Sequence, residues 1–138
     1  MSGINKKDYI EVAVAIIQKG NHFLVAKRPK DKAFAEKWEF PGGKIESPES
    51  PEECLAREIH EELGVPIVIR EPLTVWDYEY PDSRKFRFYG YLCEIPDGEP
   101  QSLWHEEILW VEAKNLATVD LLEADQELAP LIHKKIAS

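Results

Sequence analysis

Three glutamates, Glu58, Glu61 and Glu62, fall three and four positions apart in one charged segment. On a helix that spacing holds their carboxylates within about 100° of arc, on one face. Like charges so placed repel by roughly a few tenths of a kcal/mol per pair, so the pattern asks for a cation among them. Just upstream, Pro41-Gly42-Gly43-Lys44 is a glycine loop able to offer a backbone carbonyl. Carboxylate oxygens plus a carbonyl suit a hard divalent cation such as Mg2+ or Mn2+. Such ions keep water ligands and bind phosphates, so the implied substrate is a di- or triphosphate. The plainer alternative is a solvated glutamate-rich face, with Arg57 paired to Glu61 and Glu53 serving only a cap. No Cys or His pair stands at zinc spacing, and His60, alone on the helix, is expected in solvent.

The element that must position these groups is a helix with both ends written into the sequence. Ser50 is an N-cap, Pro51 suits the first helical position, and Glu53 completes a capping box. Gly64 supplies the left-handed stop after Leu63. Leu55, Ile59 and Leu63 recur every fourth residue and give the helix an apolar stripe.

A chain of 138 residues, 43% hydrophobic and 31% charged, is long enough for one domain with a real core. The formal net charge of −9 argues against non-specific nucleic-acid binding. It also repels an anionic nucleotide at long range, leaving attraction to metal and a few local cations. Cys54 and Cys93 lack metal or redox spacing and read as small buried hydrophobes. The N-terminus has no signal-peptide apolar region and no apolar run approaches membrane-spanning length, so a reducing cytoplasm is expected and a membrane is not.

Residues 1–8 are polar and expected to fray. Residues 10–17 alternate as a strand, Lys19-Gly20-Asn21 turns, and residues 23–26 return to form a hairpin. Residues 27–30 are a basic loop. Residues 38–40 form a short strand delivering the chain to Pro41. After the helix, residues 67–70, 73–80, 85–94 and 108–111 read as strands, and residues 116–123 are apolar and irregular. Asp125 can cap a last helix bearing Leu128, Leu131, Ile132 and Ile136. Strands on both sides of a central helix, with a helix at the end, indicate an α/β/α sandwich with a mixed central sheet.

The spacing from Gly43 through Glu49, Arg57, Glu58, Ile59, Glu61, Glu62, Gly64 and Val65 resembles the Nudix box at every specified position. The segment K-W-E-F-P-G-G-K-I-E, the start I-x-V-A-V-A-I-I, the later Y-E-Y-P-D and the terminal A-D resemble the MutT branch of the Nudix hydrolases. The likeness spans residues 10–136, and implies that residues 1–138 form a single Nudix-type domain.

The resemblance implies a Mg2+-dependent (Mn2+ also serving) nucleoside triphosphate pyrophosphohydrolase. It implies Glu58, Glu61, Glu62 and the Gly42 carbonyl as metal ligands, with one of the glutamates, Glu58 or else Glu61 or Glu62, also taking a proton from the attacking water. Glu49 would contact metal through water or support the loop, and Arg57 would orient a glutamate. Arg28 would stand near the phosphates, where an ordinary basic loop is the alternative. Phe40 would line a base pocket or serve only as a core aromatic. The family's loop glutamate falls at Trp104 by spacing from Trp110; Glu106 and Glu107 are nearby alternatives, or merely solvated together with His105. Asp125 lies where the branch carries an Asn that reads oxidised guanine. An ionised Asp only accepts and suits the cytosine amino group; reading oxidised guanine requires burial and a raised pKa.

The expected function is hydrolysis of 8-oxo-dGTP or a related nucleotide to monophosphate and pyrophosphate, which cleans the nucleotide pool. (d)CTP or 5-methyl-dCTP is the near alternative. Triphosphorylated RNA ends or ADP-ribose are a larger-substrate alternative, and an inert nucleotide-binding regulatory module another. A monomer or homodimer is expected.

Overall fold

In the computed structural model, which describes residues 8–137, seven strands and two α-helices follow in the order β1 (Ile10–Lys19), β2 (His22–Lys27), β3 (Trp38–Glu39), β4 (Gly42–Lys44), α1 (Pro51–Leu63), β5 (Val68–Glu79), β6 (Lys85–Glu94), β7 (Glu107–Glu112) and α2 (Leu128–Ala137). Of the N-terminal segment expected to fray, residues 1–7 lie outside the described residues. The sheet runs β3-β2-β1-β6-β5, with β4 added beside β1 and β7 beside β2. The β1–β6 pair is parallel, and the other pairs are antiparallel. The mixed sheet expected from the sequence is therefore present.

Strand β1 is apolar on both faces, and its period of two sends alternate residues to opposite cores. Ala13, Ala15 and Ile17 pack with Leu55, Ile59 and Leu63 of α1. Val14 and Ile16 pack with Leu128, Ala129 and Ile132 of α2, and with Phe40, Trp76 and Phe88. Helices thus cover the two faces of one sheet. Each fully buried leucine or isoleucine contributes about 1.5–3 kcal/mol to this packing.

Helix α1 carries the end signals read from sequence. Ser50 Oγ accepts the Glu53 N–H at 3.1 Å, and Glu53 Oε1 accepts the Ser50 N–H at 2.8 Å. Gly64 closes the helix at φ 71°, donating its N–H to the His60 carbonyl. That left-handed conformation is why glycine stands there. His60 is exposed, as expected.

Two expectations are corrected. Residues 67–70 and 73–80 are not separate strands: β5 is continuous from Val68 to Glu79, with register shifts between Ile69 and Glu71 and between Pro72 and Thr74. On an edge strand, bulges absorb a proline that cannot donate to a ladder, and they break the alternation in the sequence. Asp125 does not cap α2. It ends a short 3-10 turn, Glu123–Asp125, and its side chain accepts the Phe40 N–H at 3.0 Å. A buried N–H left without a partner just past the end of β3 costs about 1–3 kcal/mol, so that bond outcompetes a helix cap.

Candidate active site

Strand β4 lies against β1 with Gly42 opposite Val14, Gly43 opposite Ala13 and Lys44 opposite Val12. The register brings the glycine loop up to the acidic side of α1. A Cβ on Gly43 would fall 2.5 and 2.6 Å from the two Glu58 carboxylate oxygens. The Glu58 carboxylate therefore rests directly on the glycine backbone, an approach closed to any larger residue. Cys54, buried under the same loop, donates its thiol to the Gly43 and Lys44 carbonyls at 3.5 and 3.4 Å. Burial pushes its pKa up to about 12, so it remains a thiol and acts as the small buried group expected.

Arg57 organises the outer carboxylates. Its Nε and Nη2 donate to the two oxygens of Glu49 at 3.1 and 2.7 Å, and its Nη1 donates to Glu58 at 2.9 Å. Glu61 lies 3.6 Å from the same guanidinium. The hydrogen bonds from Arg57, joined by the Glu46 N–H, hold the Glu49 carboxyl down at about 2. Glu49 thus fixes the loop and Arg57 together. The guanidinium thus supplies positive charge to Glu58 and, at longer range, to Glu61, which remains largely exposed.

Glu62 is turned the other way, inward. Burial raises its pKa, and the neighbouring Glu58 and Glu39 carboxylates raise it further. Its Oε1 and His105 Nδ1 are, among the described residues, the two buried side-chain polar atoms without a hydrogen-bond partner. A carboxyl buried beside two others, with one oxygen unpartnered, ionises only where positive charge reaches it. That donor chemistry, oxygen only and short of a cation, fits a hard divalent ion. Among the described residues no three acidic, His or Cys side chains are already grouped as a cage for one.

A cavity of about 260 Å³ runs past Glu62, Gly42 and Gly43 to Phe40, Tyr80 and Asp125. Arg28 lines it as well, with its Nη1 donating to both oxygens of Glu39 at 3.1 and 3.2 Å. Its Nε donates to the Ala33 carbonyl at 2.7 Å, and its guanidinium lies 5.4 Å from the Trp104 ring centre. Arg28 is therefore built into the wall, not waving on a basic loop.

Asp125 is buried against the same cavity. Desolvation raises its carboxyl to about 8, with the Glu39 charge adding; the Phe40 N–H and Arg28 oppose the shift. The Trp76 indole donates to the Ala124 carbonyl at 2.7 Å, which fixes the turn that presents Asp125. Phe40 is packed in the core and also lines the cavity.

Glu106 sits 3.7 Å from Lys27 Nζ, and neither it nor Glu107 lines the cavity, whereas Trp104 does. The structure adds Glu39, His105, Tyr80 and Arg84 to the site's surroundings. Glu39 and Tyr80 lie within the K-W-E-F-P-G-G-K and Y-E-Y-P-D segments, so their neighbourhood was marked in the sequence. His105 and Arg84 carry no periodic signal that would have found them.

Fold and site together define an α/β/α-sandwich hydrolase with an acidic helix beside a glycine loop. A family model described as NUDIX domain matches residues 9–134, and the chain belongs to that family, whose hydrolases use divalent metal ions. It is 35% identical over 131 residues to the 8-oxo-dGTP diphosphatase of Haemophilus influenzae, covering 93% of this chain and 92% of that one. It is 33% identical over 118 residues to the CTP pyrophosphohydrolase of Escherichia coli, covering 84% and 85%. The solution structure of the Escherichia coli ORF135 protein superposes with a TM-score of 0.77 at 32% identity, covering 94% of this chain and 89% of that one.

Proposed function

We propose that this protein, with residues 1–138 as one Nudix domain, is a Mg2+-dependent, MutT-like nucleoside triphosphate pyrophosphohydrolase. Its substrate is 8-oxo-dGTP or a closely related nucleotide, and its products are the monophosphate and pyrophosphate. In this reading Glu58, Glu61, Glu62 and the Gly42 carbonyl hold the ion, with Mn2+ able to replace Mg2+. When bound there, the ion would supply charge neutralisation at phosphate oxygens and a more acidic water. Glu58, resting on Gly43 and held by Arg57, accepts the proton of the attacking water. Arg57 and Glu49 fix the loop, and Arg28 faces the phosphates from the cavity wall. Little covalent work falls to the chain; positioning and charge neutralisation dominate.

The observation that carries the base assignment is Asp125, buried with its carboxyl raised to about 8. Desolvation favours its protonated form, in which it both donates and accepts. Oxidised guanine offers a carbonyl and an adjacent N–H, which suit that pair of roles. A cytosine nucleotide is the second reading, because Phe40 N–H and Arg28 favour the ionised acceptor. The same reading takes the protein as a cytoplasmic monomer or homodimer, and the two buried free cysteines accord with a reducing compartment.

The test is turnover of 8-oxo-dGTP, dGTP, dCTP, CTP and 5-methyl-dCTP with Mg2+, reading phosphate and pyrophosphate release, for the parent and Asp125→Asn. Asn should shift the preference toward oxidised guanine and away from cytosine. An identical preference order in both proteins sinks Asp125 as the base reader. Absence of pyrophosphate release from every nucleotide sinks the reaction.

A further inference from the structure

Residues 28–37, between β2 and β3, form a loop closed on Arg28. The Arg28 N–H donates to the Lys37 carbonyl at 2.9 Å, and the Glu36 N–H donates to the Arg28 carbonyl at 3.1 Å. The Arg28 side chain adds a third tie, Nε donating to the Ala33 carbonyl at 2.7 Å. Held in this way, the loop turns through two non-glycine residues in the left-handed region, Phe34 at φ 57° and Glu36 at φ 65°. That conformation strains any residue with a Cβ, and a bulky aromatic is an outlier there.

Burial does not offset the strain, because Phe34 remains 42% exposed. Its ring touches Tyr80, with ring centres 5.3 Å apart and planes tilted by 34°. Tyr80 in turn meets Phe86 edge-on at 5.2 Å. All three rings line the cavity of about 260 Å³ that also holds Asp125. A strained backbone that keeps an apolar ring half in water is doubly unfavourable for folding. Such residues cluster where a ligand makes use of them.

We propose that Phe34 is a substrate-binding residue that stacks on the face of the nucleobase while Asp125 reads its edge. The proposal rests on the reading of this cavity as the nucleotide site. Of a nucleotide's parts only the base offers a flat π-face, and an aromatic ring is the side chain that matches it. Stacking accepts every base, so Phe34 sets affinity and leaves the choice of base to Asp125. The bicyclic guanine has more face to cover than cytosine and gains more from the ring. Loss of such a stacking ring weakens binding by about five- to a hundredfold.

The alternative is that Phe34 only anchors the loop on Tyr80, and substitution separates the two. Phe34→Asn removes the ring with a residue that tolerates left-handed backbone, so the loop keeps its shape. Phe34→Tyr keeps the ring. Binding of 8-oxo-dGMP and dCMP is followed by nuclear magnetic resonance, alongside thermal midpoints and steady-state kinetics. In the parent, bound 8-oxo-dGMP should move the Phe34 ring protons upfield. Phe34→Asn should weaken 8-oxo-dGMP binding about tenfold, and dCMP binding less. It should raise KM for the triphosphate with kcat little changed, at an unchanged or higher thermal midpoint. Phe34→Tyr should stay within about twofold of the parent. Phe34 protons indifferent to bound 8-oxo-dGMP, or parental KM in Phe34→Asn, would overturn the inference. A lowered midpoint in Phe34→Asn with kcat and KM damaged together would also overturn it, in favour of loop packing. If the parent releases no pyrophosphate from any nucleotide, the reaction proposed above fails. Monophosphate binding lost in Phe34→Asn would then still uphold the stacking role, in a protein that binds nucleotides without cleaving them.

Discussion

Asp125 accepts a hydrogen bond from the backbone N–H of Phe40 at 3.0 Å, joining the C-terminal turn to the strand end that precedes the glycine loop. One carboxylate thereby ties the cavity wall to the loop and faces the cavity as well.

That burial makes stability depend on pH. The folded pKa, about 8, lies above the ordinary aspartate value of 3.8, so the folded state holds the proton more tightly than the unfolded chain. Asp125 contributes full stability below pH 4, and loses it as pH rises toward 8. The slope is at most about 1.4 kcal/mol per pH unit, that of one proton. Asp125→Asn keeps an acceptor for Phe40 and should flatten thermal midpoints across pH 5–8, with the largest gain near pH 8. Parallel midpoint curves for the two proteins would show that Asp125 does not titrate in that window.

Glu61 and Glu62 should separate in stability but not in catalysis. Gln at either position removes a charged oxygen, and turnover should fall at least about a hundredfold. Only Glu62→Gln should raise the midpoint, since Glu62 is buried beside Glu58 whereas Glu61 is exposed. Near-parental turnover in both variants at saturating Mg2+ would remove them as ligands.

Arg57→Lys tests the guanidinium fork. A lysine cannot donate to both oxygens of Glu49 and still reach Glu58. Turnover should drop more than about tenfold with KM little changed, because the contacts are to the loop and to Glu58. Kinetics indistinguishable from the parent would make Arg57 an ordinary surface charge.

Gly43→Ala should misplace Glu58. The added methyl has no room beside the carboxylate, so Glu58 must swing out. Circular dichroism should report an intact fold while turnover falls about a hundredfold. Unaltered turnover would show that Glu58 need not lie on the loop.

Much of this arrangement was legible in the sequence because it is local. Caps, apolar stripe and glutamate spacing of α1 all lie within a few residues of one another, and each obeys a fixed helical period. The continuous β5 was hidden, because its bulges at Ile69/Glu71 and Pro72/Thr74 erase the alternation by which strands are read. Asp125 was legible as a polar group before a helix, but its choice of Phe40 depends on a partner that only the packed sheet delivers. The reading of His105 as a solvated loop residue is overturned for the same reason: it is buried, and its two carboxylate neighbours come from β3 and α1.

Strand β1 has a further consequence, for the order in which the molecule assembles. Its early residues are flanked by β4 on one side and by β6, over 70 positions away, on the other. The acidic helix can form early on its own caps, yet the surface it docks on is complete only after the long parallel closure is made. Such closures are slow, because chain entropy is lost before contacts repay it. A nascent chain halted before residue 85 would therefore carry every glutamate of the box, with the helix already wound and its sheet unfinished beneath it. Catalytic competence arrives with the second half of the chain, although its chemistry is encoded in the first.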